Sequence, residues 1–166
     1  MGPVIVFVAQ TYRRGRPRAE IGRLVLSLGI AMLLTGAVTN GLKLAFSRPR
    51  PNFVVACWPN GATPVLGGNS KFRNSFGGLP ECTAPFKSYS EHIKSFPSGH
   101  SSMSAAGLGF LTFYLIGQLK AYSGGGFAWR VVLSCLPALV AVAIGITRVT
   151  DYWHHPSDVM TGLGLG

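Results

Sequence analysis

"LVLSLGIAMLLTGAVTNGL", residues 24 to 42, is nineteen consecutive positions without a charged side chain. A helix crosses the hydrocarbon core of a bilayer with about 20 mainly apolar residues, the range being roughly 17–25. Two further runs fall in that range: Ser101 to Leu119, again nineteen residues, and Val131 to Thr147, seventeen. Composition points the same way, with 48% hydrophobic and 12% charged residues, where a soluble domain carries about 25% charged. Three such runs in 166 residues predict an all-α, polytopic transmembrane helix bundle with lipid as part of its solvent.

Working outward from Leu24, the preceding segment "TYRRGRPRAEIGR" holds arginines at 13, 14, 16, 18 and 23. A basic cluster beside a span marks the cytoplasmic side and attracts anionic lipid. The net charge of +10 is thereby explained without nucleic acid, for which no binding motif accompanies the cluster. "MGPVIVFVAQ" is apolar from its first residues, with its arginines behind it, so it reads as the end of an earlier span rather than a secretory signal. The chain reads as a fragment or short form, cut inside helices at both ends.

Alternating sides then give one domain over 1–166. Residues 1–10 end a span, 11–21 form a cytoplasmic loop, and 22–46 span outward. Residues 47–99, rich in Pro, Gly, Asn and Ser, form an outer loop, and one that long is uncommon unless functional or disordered. Residues 100–119 span inward, 120–129 connect, and 130–147 span outward. Residues 148–157 make a second outer segment, and 158–166 start another span, with Pro156 suited to a first helical turn. About three complete spans and partial helices at both termini are expected.

Cys57 and Cys82 lie in the outer loop, where an oxidising compartment permits them to pair. Cys135 lies within a span and reads as a small buried hydrophobe.

Three polar clusters share the outer face: "KLAFSRPRP" (43–51), "SFPSGHSS" (95–102) and "TRVTDYWHHPSDV" (147–159). Singly, each has a plain structural explanation: interfacial anchors that snorkel, a helix cap at Ser98, a polar rim at headgroup level. Together they contain what dephosphorylation needs: cations for phosphoryl oxygens, a nucleophile and a proton donor. Lys43, Arg50 and Arg148 supply the cations from separate elements. Ser98 and Gly99 stand where a helix begins, so N–H groups and the helix dipole favour an anion there. His100 and His154 are imidazoles able to act near neutral pH. Asp158, four residues after His154, is placed to accept a hydrogen bond from its ring if the helix has begun by then.

The order K-x6-R-P (Lys43, Arg50, Pro51), P-S-G-H (Pro97 to His100), R-x5-H-x3-D (Arg148, His154, Asp158) resembles the type 2 phosphatidic acid phosphatase family, and within it the integral-membrane lipid phosphate phosphatases. The match covers residues 43 to 158. The resemblance implies that His154 attacks phosphorus to form a phosphohistidine, Asp158 orients it, and His100 protonates the leaving alkoxide and then activates water. Lys43, Arg50, Ser98, Gly99 and Arg148 would bind the phosphate. No metal or other cofactor is implied. Spacing passes over Arg48, Asp151 and His155, the last read as structural, and Thr147 stands where the motif has serine. The family has six spans, more than this chain holds. Expected partners are a lipid phosphate substrate and the bilayer, with the active site on the extracellular or luminal face and homo-oligomerisation left open. The rival readings are a vanadate-binding haloperoxidase relative with the same motifs, a non-enzymatic scaffold, and the same chemistry on a sugar phosphate or polyprenyl diphosphate.

Overall fold

The computed structural model describes residues 18–61, 82–122 and 127–166. The early span end at 1–10, most of the arginine cluster, part of the outer loop (62–81) and residues 123–126 lie outside the described residues. All regular structure among the described residues is helical. The order is α1 (Arg18–Ala45), α2 (Phe53–Cys57), α3 (Phe86–Tyr89) followed by a 3₁₀ turn (Ser90–Ile93), α4 (Gly99–Gln118), α5 (Phe127–Thr150) and α6 (Pro156–Leu165).

Helix α4 is the hub, packed on α1, α5 and α6. Its buried side chains are small: Ser101, Ser102, Ala106 and Thr112. Small residues let helix backbones approach closely, which matters where lipid tails supply no hydrophobic drive between helices. The Thr39 hydroxyl of α1 donates to the Ser102 hydroxyl at 2.9 Å in a buried contact. Gly145 of α5 and Gly162 of α6 complete the junction: a Cβ on Gly162 would stand 2.6 Å from the Ser98 carbonyl oxygen, and one on Gly145 2.7 Å from Val159 Cγ1.

Two helices, over Glu20–Ala45 and Ala128–Thr150, are long and apolar enough to cross a membrane. Helix α4, expected as a third span, is not among them; Gly99, His100, Ser101, Ser102 and Ser104 dilute the apolar character of its first turns. On α1, Leu26, Leu33, Leu34 and Leu44 are exposed, as are Val132, Leu139 and Ile146 on α5. Apolar faces of that extent exceed those on ordinary water-soluble surfaces and suit hydrocarbon.

The expected outer loop carries structure of its own. Cys57 and Cys82 are disulfide-bonded, beside a small cluster in which Phe53 and Trp58 are buried and Tyr89 and Ile93 pack. Edge-on ring contacts join Phe53 to Trp58 and to Tyr89, with centroids 6.4 and 6.1 Å apart. The bridge spans 25 residues, so removing it by Cys82→Ser is expected to cost about 3 kcal/mol through the unfolded chain's recovered entropy. A fall in thermal midpoint of the purified protein checks this.

Candidate active site

Three connections between helices carry the site. After α1, residues 46–50 leave the helix: the Arg50 N–H donates to the His92 carbonyl at 2.7 Å, and the Ser95 N–H to the Arg48 carbonyl at 2.9 Å. Before α4, Ser98 is the N-cap, its side-chain oxygen accepting from the Ser101 N–H and from the Ser101 hydroxyl at 2.9 Å. After α5, Tyr152 takes a left-handed conformation, φ 57°, which costs a non-glycine residue roughly 1–2 kcal/mol. The turn it makes lets the N–H groups of Trp153 and His154 both donate to the Arg148 carbonyl, at 3.1 and 3.2 Å. Helix α6 then starts at Pro156, with His155 as N-cap.

His154 and Asp158 are buried, at 2% and 0% exposure. The His154 Nδ1 lies 2.8 Å from the Ser95 carbonyl oxygen. A carbonyl can only accept, so Nδ1 carries the proton and Nε2 keeps its lone pair. Burial, reinforced by the Arg50 charge, holds the His154 pKa down at about 4 against the opposing pull of Ser95 and Asp158. The ring is therefore neutral at physiological pH. The native state excludes a proton that the unfolded chain binds below about pH 6.5. Stability is thus expected to fall as pH drops from about 6.5 towards 4, a dependence that His154→Asn should flatten in thermal melts.

The expected hydrogen bond from the His154 ring to Asp158 is corrected by the structure. The two groups stand 4.0 Å apart, beyond hydrogen-bond range, because the helix begins two residues after His154 and His155 is extended. The carboxylate has other partners. Arg48, which spacing passed over, donates to Asp158 Oδ1 at 2.6 Å and to the Ser157 hydroxyl at 2.8 Å. The Ser95 hydroxyl donates to Oδ2 at 2.5 Å, and the His155 N–H to the same oxygen at 3.0 Å. His155 lies 3.2 Å through Nε2 from the Pro49 carbonyl. Ser95 and Arg48 are the residues that spacing missed; the signal was a single acidic residue flanked by apolar helix, which needs a cation once buried.

The cations converge. The charges of Arg148, Lys43 and Arg50 all act on the His100 imidazole, and those of Arg50 and Lys43 on His154. Lys43 Nζ would stand 3.2 Å from a Cβ on Gly99, so the ammonium lies at the start of α4. Arg50 lies with its guanidinium carbon 4.9 Å from the Trp153 ring centroid, and the ring stacks on His92 at 5.7 Å. Its buried Nε has no protein partner. Burial pulls this guanidinium below its usual range, against the carboxylates of Glu91 and Asp158, yet it stays charged at any physiological pH. Arg148 donates to Asp151 at 3.0 Å and to the Thr147 hydroxyl at 3.3 Å, so Asp151 holds the fork in place and Thr147 supplies the hydroxyl expected of serine. The Ser98 N–H is committed to the Asp158 carbonyl at 3.0 Å; what Ser98 can still offer an anion is its hydroxyl proton, while backbone donation falls to Gly99 and His100.

Among the described residues, helices and their connections gather a buried imidazole and carboxylate with cations around them, and comparison with known families assigns the chain. The chain belongs to the PAP2 superfamily, whose family model matches residues 24–166. It is 40% identical over 164 residues to probable lipid phosphate phosphatase 4 of Arabidopsis thaliana, covering 99% of this chain and 50% of that protein. Over the same length it is 40% identical to lipid phosphate phosphatase 1 of Arabidopsis thaliana, covering 47% of it. Diacylglycerol pyrophosphate phosphatase 1 of Saccharomyces cerevisiae is 37% identical over 145 residues, which are 86% of this chain and 47% of that protein. The chain thus spans about half the length of the curated relatives it matches. No solved structure matches it.

Proposed function

We propose that the protein is an integral-membrane, metal-independent lipid phosphate phosphatase acting through a phosphohistidine on phosphatidic acid and related lipid phosphate monoesters or pyrophosphates. The observation that carries this reading is the His154 tautomer: Nδ1 is held against the Ser95 carbonyl, so Nε2 is the attacking atom. In the first step Nε2 bonds to phosphorus and the bond from phosphorus to the lipid oxygen breaks. His100 gives that oxygen its proton. In the second step His100 takes a proton from water, the hydroxide attacks phosphorus, and the P–N bond breaks to restore His154 and release phosphate. Lys43, Arg50 and Arg148 take the charge of the three equatorial oxygens, the stabilisation that dominates such reactions. Asp158 holds the arrangement through its partners.

The relatives' names support a lipid phosphate as substrate, and the exposed apolar faces of α1 and α5 support entry from a bilayer and a multi-pass arrangement. The Cys57–Cys82 disulfide lies in the loop that leads to the site, which supports an extracellular or luminal position for that face. Arg148→Lys tests the fork: an ammonium is a point charge that cannot match phosphoryl oxygens two at a time. A fall of about 100-fold in kcat/KM is expected, in line with loss of one transition-state donor. The deciding experiment measures phosphate release from phosphatidic acid, lysophosphatidic acid, diacylglycerol pyrophosphate and a soluble sugar phosphate, in chelator. Turnover of the lipids, undiminished by chelator, is expected; a need for divalent cation, or preference for the sugar phosphate, overturns the reading.

A further inference from the structure

Between Asp158 and the His154 ring stands Ser95, a residue with no exposure at all. Its carbonyl accepts from His154 Nδ1 at 2.8 Å and its hydroxyl donates to Asp158 Oδ2 at 2.5 Å. The Ser95 N–H is fixed in turn by the Arg48 carbonyl at 2.9 Å, and the Arg48 guanidinium closes the ring on Asp158 Oδ1 at 2.6 Å. All three polar groups of one buried serine are therefore used, tying its own segment to Arg48 on one side and to His154 and Asp158 on the other. A carboxylate 4.0 Å from the imidazole acts on it through charge but accepts no hydrogen bond from it, whereas the Ser95 carbonyl does and the Ser95 hydroxyl lies 3.4 Å from the same Nδ1.

We propose that Ser95 and Arg48 are positioning residues for His154: Asp158 sets the ring's tautomer and direction through Ser95, and Arg48 compensates the buried carboxylate while docking the first motif against the third. The proposal rests on His154 being the nucleophile. It assigns Asp158 an indirect part, as the anchor of a serine, and gives a function to an arginine that motif spacing discards. The Ser95 hydroxyl fixes the peptide whose oxygen meets the ring, so its loss lets that carbonyl drift while Asp158 and His154 remain in place.

The test is a double-mutant cycle on the purified, lipid-reconstituted protein, read as the single-turnover rate of labelled phosphoenzyme formation. Ser95→Ala and Asp158→Asn are each expected to slow it about 10- to 100-fold, the range typical for outer partners of a functional histidine, with KM within about twofold. The double variant should be no slower than the slower single one, because both remove the same link. Wild-type labelling by Ser95→Ala, or losses that multiply, would overturn the proposal. Ser95→Cys preserves volume with a weaker donor and carries the same criteria if the alanine variant does not fold. Arg48→Met is expected to slow labelling comparably and Arg48→Lys to recover most of the rate; equal rates in those two variants count against Arg48. Label appearing on His154→Ala overturns the nucleophile assignment itself, a result no Ser95 variant can imitate.

Discussion

His154→Ala is expected to abolish turnover and the phosphoenzyme together, with a fall in kcat of about 10⁴-fold or more, as for removal of a nucleophile or its base elsewhere. The site makes this loss hard to compensate. His100 is exposed at the mouth of α4, His155 is held by the Pro49 carbonyl, and His92 is stacked on Trp153 and 3.0 Å from Asn52. None of the three shares the buried position against Ser95. The fold should survive the change, because the ring makes one main-chain hydrogen bond and leaving that carbonyl without its partner costs only about 1–3 kcal/mol. The check is acid-labile labelling with a radioactive lipid phosphate, alongside a thermal melt. Retained label at full stoichiometry would sink the assignment of His154.

Much of this architecture was legible in the chain because bilayer physics writes it in long runs. The uncharged stretches at 24–42 and 131–147 became the cores of α1 and α5, since a lipid-facing helix must satisfy its backbone internally and shed charge over its whole length. Local punctuation was legible for a similar reason. Ser98 caps α4 and Pro156 opens α6, both being preferences of single residues for single backbone positions. The run at 101–119 also became a helix, but one whose serines and glycines serve packing between helices.

What the chain hid were pairings across distance. Arg48 meets Asp158 110 positions later, and Ser95 meets His154 59 positions later. No periodicity reports such contacts, and the motif template pointed away from Arg48 because Arg50 satisfied its spacing. The two arginines are only two residues apart, yet one reaches Asp158 and the other lies over Trp153. The turn at Tyr152 was equally unreadable, since nothing about tyrosine advertises a left-handed conformation. The short helices α2 and α3 escaped notice because the Pro, Gly, Asn and Ser content of 47–99 dominates the reading of their few apolar residues.

Gly162→Val is expected to be the most damaging substitution remote from the chemistry. Even one added carbon would meet the Ser98 carbonyl oxygen at 2.6 Å and Ser101 Cβ at 3.0 Å, and main chain cannot rotate aside as a flexible side chain can. Valine adds two more carbons at the same point, so α6 must move off α4. That movement breaks the Ser98–Asp158 main-chain bond and carries Asp158 away from both Ser95 and Arg48, leaving a buried carboxylate with fewer partners. Overpacking alone costs about 1–3 kcal/mol, and an uncompensated buried charge about 3–5 kcal/mol; the variant should lose activity at least 100-fold and melt many degrees lower. Gly164→Val in the same helix is the control, because a Cβ there meets nothing within 4 Å, and it should retain activity. If Gly162→Val turned over substrate at the wild-type rate, the close seating of α6 on the start of α4 would be irrelevant to catalysis.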